Sequence, residues 1–244
     1  MITLTTDFGY SDHYVAAMKG AIYKINPHAI IVDVTHGIKR HSIRHAAYIL
    51  NAILPYFKNV VHVFVVDPGV GTERKNIAAK IGDSWYVGPD NGIVTYVADK
   101  IDKTFEITIK PESATFHGRD VFAPAAAYID IGVFKYIKEI DSLYTFSYFK
   151  PKKEGQILEG EVIHVDGFGN VITNIPEDVV KDVKGFKLLD RYIRFLPSYG
   201  YAYRDELIAL INSEHLLEFA VNQGDASAIL PFEIGDRICI EIQR

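Results

Sequence analysis

The stretch HVFVVDPGVGTERK, His62 to Lys75, puts a carboxylate and a guanidinium just beyond an apolar run: Asp67 opens a glycine-containing loop and Arg74 closes it. A glycine-rich loop in that position suggests a phosphate cradle, yet the Gly-Lys-Ser/Thr ending of a P-loop is missing. A charged pair beyond a buried strand is costly to desolvate unless a site uses it. The segment TFHGRDVFAP (115–124) adds His117, Arg119 and Asp120 within four positions. Asp7 in TTDFG and Asp33 to His36 in DVTH also follow apolar runs. The second half of the chain offers DGFGNVITN (166–174) and INSEHLLEFAVNQGDA (211–226). Each cluster also has a plain structural role. Asp and Asn beside Gly make turns through their own side-chain bonds, and Arg119–Asp120 can be a helix-start ion pair with Asp120 as cap.

The chemistry open to these groups is narrow. No His-Glu-x-x-His pattern supplies a metal site, although Asp7, Asp33, Asp67 and Asp90 could together hold Mg²⁺ for a metal phosphohydrolase. No Gly-x-Ser-x-Gly elbow is present, and the lone cysteine, Cys239, falls in a strand-like run, so covalent catalysis has no nucleophile. A bound water oriented by an acid, an arginine and a histidine is the simplest nucleophile left.

The elements that must position these groups are legible from periodicity. ITL, IIVDV (30–34) and VVHVFVV (60–66) read as strands, the last apolar enough to be covered on both faces. Val15, Met18, Ile22 and Ile25 recur at helical spacing after Asp12, a candidate cap. Ser42 to Phe57 is helical by pattern, and DVFAPAAAYIDIG reads as a helix stopped by Gly132. Strand–helix alternation predicts an α/β domain over 1–149 with helices on both faces of its sheet. The polar segment YFKPKKEGQ (148–156) reads as a linker. After it, short runs such as EVIHV, NVITNI, YIRFL, ELIALIN, LEFAVN and RICIEI predict a smaller all-β barrel over 150–244.

Composition excludes several classes. The 244 residues are 48% hydrophobic and 23% charged, with a net charge of -5 and no basic stripe, so a nucleic-acid partner is not expected. No apolar run approaches the ~20 residues of a membrane span. A strand that starts at once in MITLTTDFGY is unlike a signal peptide, and a single cysteine offers no disulfide framework. A cytoplasmic protein without a membrane partner is the expectation.

Seven motifs occur in order: TTDFGYSDHYVAAMKGAIYKINP, IVDVTH, VVDPGVGTERK, VGPDNG, TFHGRDVFAPAAA, DGFGNVITNI and INSEHLLEFAVNQGDA. Together they closely resemble the SAM hydroxide adenosyltransferases, the adenosine-forming SAM hydrolases related to the bacterial fluorinase and chlorinase. The resemblance implies hydrolysis of S-adenosyl-L-methionine (SAM) to adenosine and L-methionine by SN2 attack at C5′. SAM would be substrate, with neither cofactor nor metal. It implies a homotrimer with SAM held between the N-terminal domain of one subunit and the C-terminal domain of the next.

In this resemblance Asp67, Arg74 and His117 match an Asp-Arg-His triad that holds the attacking water. Asp7 matches the acid on the ribose hydroxyls, and Phe116 an aromatic wall beside the reacting carbon. Asp166, Phe168 and Asn170 match contacts to the methionine and adenine ends, with Asp166 on the α-ammonium. Ser213 and Glu214 match the methionine pocket, Gln223 a backbone contact to adenine, and Tyr199 an adenine stack. The halide-forming relatives carry a serine at Gly118, a tyrosine-type residue at Asp67, a longer loop after the arginine and a tryptophan at His41, to which no role is given. Those departures favour hydroxide. The alternatives are a SAM-dependent halogenase and a non-catalytic SAM- or adenosine-binding protein.

Overall fold

The computed structural model describes residues 1–180 and 183–243. The chain divides into two compact units, Met1–Phe146 and Ser147–Arg244.

The first unit contains β1 (Ile2–Thr6), α1 (Tyr14–Ile25), β2 (Ile31–Thr35), α2 (Ile43–Ile53), β3 (Val61–Val65), β4 (Asn76–Ile81), β5 (Ser84–Pro89), β6 (Ile101–Ile107), α3 (Ala123–Asp130) and β7 (Ile137–Ile140). Its sheet runs β2-β1-β3-β5-β4-β6-β7. The β2, β1, β3 and β5 strands are parallel, whereas β4 runs antiparallel to both β5 and β6, and β7 to β6. Val61, Val63 and Val65 face one layer with Met18 and Ile22 of α1 and the alanines of α3. Phe64 and Val66 point the opposite way, to Ala46 and Leu50 of α2. Two-sided burial is why β3 reads as a nearly continuous apolar run, broken only by His62.

Local details depart from the sequence expectation. Asp12 is not the cap of α1: His13 occupies that position without a side-chain cap bond. Asp120 is not a cap either; it accepts from Arg119 Nε at 2.6 Å and from the Ser113 amide at 2.8 Å. Ser42 does cap α2, accepting from the His45 amide at 3.3 Å. The helix expected from Asp120 begins instead as a wide turn over Gly118–Phe122 and becomes α-helical only at Ala123.

The second unit contains β8 (Lys152–Glu154), β9 (Ile157–Val165), β10 (Val171–Pro176), β11 (Gly185–Leu188), β12 (Arg191–Phe195), β13 (Leu207–Ile211), β14 (Leu216–Val221) and β15 (Arg237–Gln243). Seven strands close a barrel in the order β10-β14-β13-β12-β11-β15-β9, with β9 pairing back to β10 and β8 flanking β9. Its core holds Phe186, Leu217, Phe219, Ile238, Ile240 and Ile242. Alternation turns Cys239 outward, where it is free and exposed. The β12–β13 pair is parallel. A parallel pair needs a crossover rather than a tight turn, so residues 196–206 pass over the outside of the barrel. Leu196 and Ala202 of that crossover pack on Ile208, Leu210 and Ala220. No helix among the described residues is long and apolar enough to cross a membrane.

One buried polar contact in the first unit predicts a pH response. His62 is fully buried in β3, and its Nδ1 lies 2.8 Å from Thr3 Oγ1. Burial pulls its pKa down to about 4. The unfolded chain therefore takes up this proton first, and folded stability is lost as pH falls below the ordinary histidine value. His62 alone is expected to cost about 2 kcal/mol between pH 7 and pH 5. Urea melts at the two pH values check this, and His62→Gln should remove that part of the loss.

Candidate functional site

A cleft of 340 Å³ opens beyond the C-terminal ends of β1 and β3, lined among others by Asp7, Phe8, Tyr14, Arg40, His41, Asp67, Phe116 and His117. Strand C-termini in open α/β sheets are where ligands bind, because loops from neighbouring strands converge there. Asp7 has one carboxylate oxygen committed: Oδ2 accepts from the His41 amide at 2.9 Å. That amide is aimed by a left-handed backbone at His41, φ 63°. Phe116 is braced by Tyr14 and Phe8, with ring centroids 5.3 and 6.0 Å away, and Arg119 lies 5.1 Å from its centroid.

Asp67, Arg74 and His117 form one cluster. Arg74 Nε donates to Asp67 Oδ1 at 2.8 Å and Nη2 to Asp67 Oδ2, a two-pronged ion pair. Nη2 also donates to His117 Nδ1 at 2.8 Å. Nη1 donates to the Lys75 carbonyl at 3.3 Å and to Asn76 Oδ1. A guanidinium has five N–H bonds, and these contacts use all five. Arg74 is thus a clamp behind the wall rather than part of it. Because Nδ1 accepts, the neutral His117 ring carries its proton on Nε2. Burial, then the Arg74 cation, hold the His117 pKa below its usual value and so favour that neutral form. The cleft is offered a carboxylate acceptor and an imidazole N–H donor, both held from behind.

The glycines of the opening loop have a steric explanation. Gly71 has φ +79°, and a Cβ there would stand 2.7 Å from the Ala114 carbonyl oxygen. The loop bearing Asp67 and Arg74 is thereby pressed against the segment that leads to Phe116 and His117, which a phosphate cradle would not require.

The four aspartates weighed as a Mg²⁺ cluster do not meet in one place; of the four, Asp7 and Asp67 line the cleft and Asp33 and Asp90 do not. Asp33 pairs with Lys19 at 2.6 Å and with His36, and Asp90 accepts from the Tyr144 amide at 2.8 Å. Among the described residues no group of three His, Cys, Asp or Glu side chains could hold a metal ion.

The second unit builds another constellation. Asp166 Oδ1 accepts from the amides of Phe168 and Asn170, each at 2.9 Å, and Oδ2 from Asn170 Nδ2 at 2.9 Å. Tyr199, on the crossover, approaches Asn170 Nδ2 at 3.5 Å and donates to Glu218 Oε1 at 2.6 Å. Ser213 donates to Glu214 at 2.9 Å. The Phe168 ring is 81% exposed, free to stack on a ligand. Gln223 sits in a left-handed turn, φ 60°, with its side chain in solvent.

Sequence reasoning overlooked Asn76, the His41 amide and Glu218. Glu218 was discoverable: it is the one charged residue in the apolar run LLEFAV. Asn76 and the His41 amide carry no such mark.

An α/β unit with an Asp-Arg-His cluster at its strand ends, followed by a closed barrel, defines a class with solved members. A crystal structure of an "uncharacterized conserved protein" from Thermotoga maritima superposes with a TM-score of 0.90 at 38% identity, covering 98% of this chain and 99% of that one. Family models for the N- and C-terminal domains of SAM hydroxide adenosyltransferase match residues 2–139 and 160–239, and the chain belongs to that family. The (R)-S-adenosyl-L-methionine hydrolase of Methanocaldococcus jannaschii is 40% identical over 98% of this chain and 94% of its own length. That of Thermus thermophilus is 35% identical over 94% and 95%. A fluorinase from an Actinoplanes species is more distant, 27% identical over 91% of each.

Proposed function

We propose that this protein hydrolyses SAM to adenosine and L-methionine. The observation that carries the proposal is the fully engaged Arg74, which holds Asp67 and His117 side by side on the wall of a cleft that also contains Asp7 and Phe116. In this reading a water donates a hydrogen bond to Asp67 while the His117 Nε2–H holds its oxygen. The oxygen attacks C5′, the C5′–S bond breaks, and its electron pair returns to sulfur as the neutral thioether of methionine. The water proton passes to Asp67 and then to solvent. A sulfonium leaves unaided, so the reaction calls for neither a general acid nor a metal at sulfur, and EDTA should leave it intact. The site's task is orientation and electrostatic preorganisation of the nucleophile.

Asp7 binds the ribose hydroxyls through the oxygen not held by His41, and Asp166 binds the α-ammonium. Phe168, Tyr199 and Gln223 serve adenine, and Ser213, Glu214 and Asn170 the methionine end. The relatives named above as hydrolases support the (R)-sulfonium epimer as substrate. At Gly118 a Cβ would stand 3.2 Å from Phe116 Cε2 and 3.3 Å from Met18 Sδ, so the serine expected of a halide-forming relative would need these side chains to shift by a few tenths of an ångström. The motif resemblance is what supports a homotrimer with SAM held between neighbouring chains.

The deciding experiment is incubation of each SAM epimer with the purified protein in ¹⁸O-labelled water, with and without chloride. Label in the 5′-hydroxyl of adenosine, from a species sedimenting as a trimer, is expected. A 5′-halo product, or SAM returned unchanged, overturns the reading. Asp7→Ala is expected to act mainly on KM, raising it roughly 10- to 100-fold through loss of charge-assisted hydrogen bonds. Initial-rate kinetics across SAM concentrations check that.

A further inference from the structure

Glu218 is 3% exposed and lies on the outer face of β14, where its register neighbours are Leu210 and Ile172. A carboxylate in such surroundings is expensive unless it is bonded and used. It accepts from Tyr199, which the parallel β12–β13 crossover lays over this face, and the Asn212 side chain also bonds to it. With Glu218 ionised, the direction of every bond in the chain that follows is determined. Asn170 Nδ2 has two hydrogens; one goes to Asp166 Oδ2 at 2.9 Å and the other faces the Tyr199 oxygen at 3.5 Å. That oxygen has a lone pair for the Asn170 hydrogen while the Tyr199 hydroxyl donates onward to Glu218, at 2.6 Å. With the two backbone amides on Oδ1 and the Asn170 amide on Oδ2, Asp166 has three of its four lone-pair positions filled. The one left over belongs to Oδ2, so which Oδ2 lobe stays free depends on where the Asn170 side-chain amide is held.

We infer that Glu218 and the Tyr199 hydroxyl are positioning residues for α-ammonium recognition, acting through Asn170 to fix the free lobe of Asp166. This rests on the SAM reading and on Asp166 as the ammonium contact. Burial, with Asp166 and Glu214 nearby, pushes the Glu218 pKa up, as expected for carboxylates gathered around a cation-binding point. Tyr199 then has two separable roles: its ring, 41% exposed, can lie against adenine, while its hydroxyl serves the methionine end.

The test compares kcat/KM for SAM with that for the analogue in which hydrogen replaces the α-amino group, using the full-length protein. Wild type should prefer SAM strongly. Tyr199→Phe keeps the ring and removes the hydroxyl; it should lower that preference roughly tenfold, with the loss carried by KM. Glu218→Gln keeps the shape and removes the charge, and should lower the preference in the same direction. A loosened barrel would depress both substrates alike and leave the ratio unmoved. If wild type discriminates and Tyr199→Phe discriminates equally well, the inference is overturned while the SAM reading stands. If wild type treats both sulfonium compounds alike, Asp166 is not the ammonium contact and the inference goes with it. Turnover of neither compound overturns the SAM reading itself.

Discussion

Asp67→Asn is expected to lower kcat by roughly two to four orders of magnitude, the range of a lost acid–base or water-orienting group, while SAM affinity changes by no more than about threefold. Asparagine preserves the volume beside Arg74 but cannot take a proton from water at neutral pH. It also offers a single oxygen to the two Arg74 donors that now reach Asp67 Oδ1 and Oδ2. One of those donors loses its acceptor, at a stability cost of about 1–3 kcal/mol. The ribose and methionine contacts assigned to Asp7 and Asp166 are untouched, so binding should persist. Single-turnover kinetics and equilibrium binding of SAM separate the two quantities. Normal turnover in the variant, or equal loss of binding and rate, removes Asp67 from the centre of the mechanism.

Arg74→Met should be the most damaging single change. Arg74 and Asp67 side chains are only 10% and 5% exposed. Removing the cation leaves a nearly buried carboxylate unpaired, a loss of about 3–5 kcal/mol. The rate should fall at least 100-fold, because Asp67 and His117 lose the group that holds them together. A second readout is specific to the clamp. The Arg74 cation helps keep the His117 pKa low, whereas Asp67 and Asp120 pull it up. Without Arg74, His117 becomes easier to protonate, and a protonated ring has no acceptor at Nδ1. The titration of His117 should therefore move to higher pH. Histidine titration by NMR together with a thermal melt would check both parts. An unshifted His117 titration in a folded, slowed variant would show that Arg74 does not act through His117.

Much of the architecture was legible in residue order, for identifiable reasons. A strand covered on both faces is apolar along most of its length, so VVHVFVV announced β3, and recurrence of Val15, Met18 and Ile22 announced α1. Period-two runs separated by turn residues announced most barrel strands, and Ser42 announced the start of α2. The motifs carrying Asp67, Arg74 and His117 were recognisable because residue type and spacing survive in one dimension.

Pairing partners and donor saturation do not survive that projection. NIAAKI carries no mark that makes it β4, the antiparallel neighbour of β5; its strand identity comes from the Ile81–Ser84 end of a hairpin closed around Gly82. The short GFKL strand, β11, is a strand because β12 and β15 flank it. Arg74 and His117 stand 43 positions apart, and only their approach to 2.8 Å shows that the arginine is spent inside the protein and reaches the cleft through its partners. Tyr199 was matched by resemblance alone. The parallel β12–β13 pair assigns it a place, since a crossover must pass outside the barrel and thereby sets the tyrosine on Glu218. Residue type is a local property, written position by position. Whether a donor is free or used depends on what the folded chain brings within 3 Å of it, and that is decided only when distant segments meet.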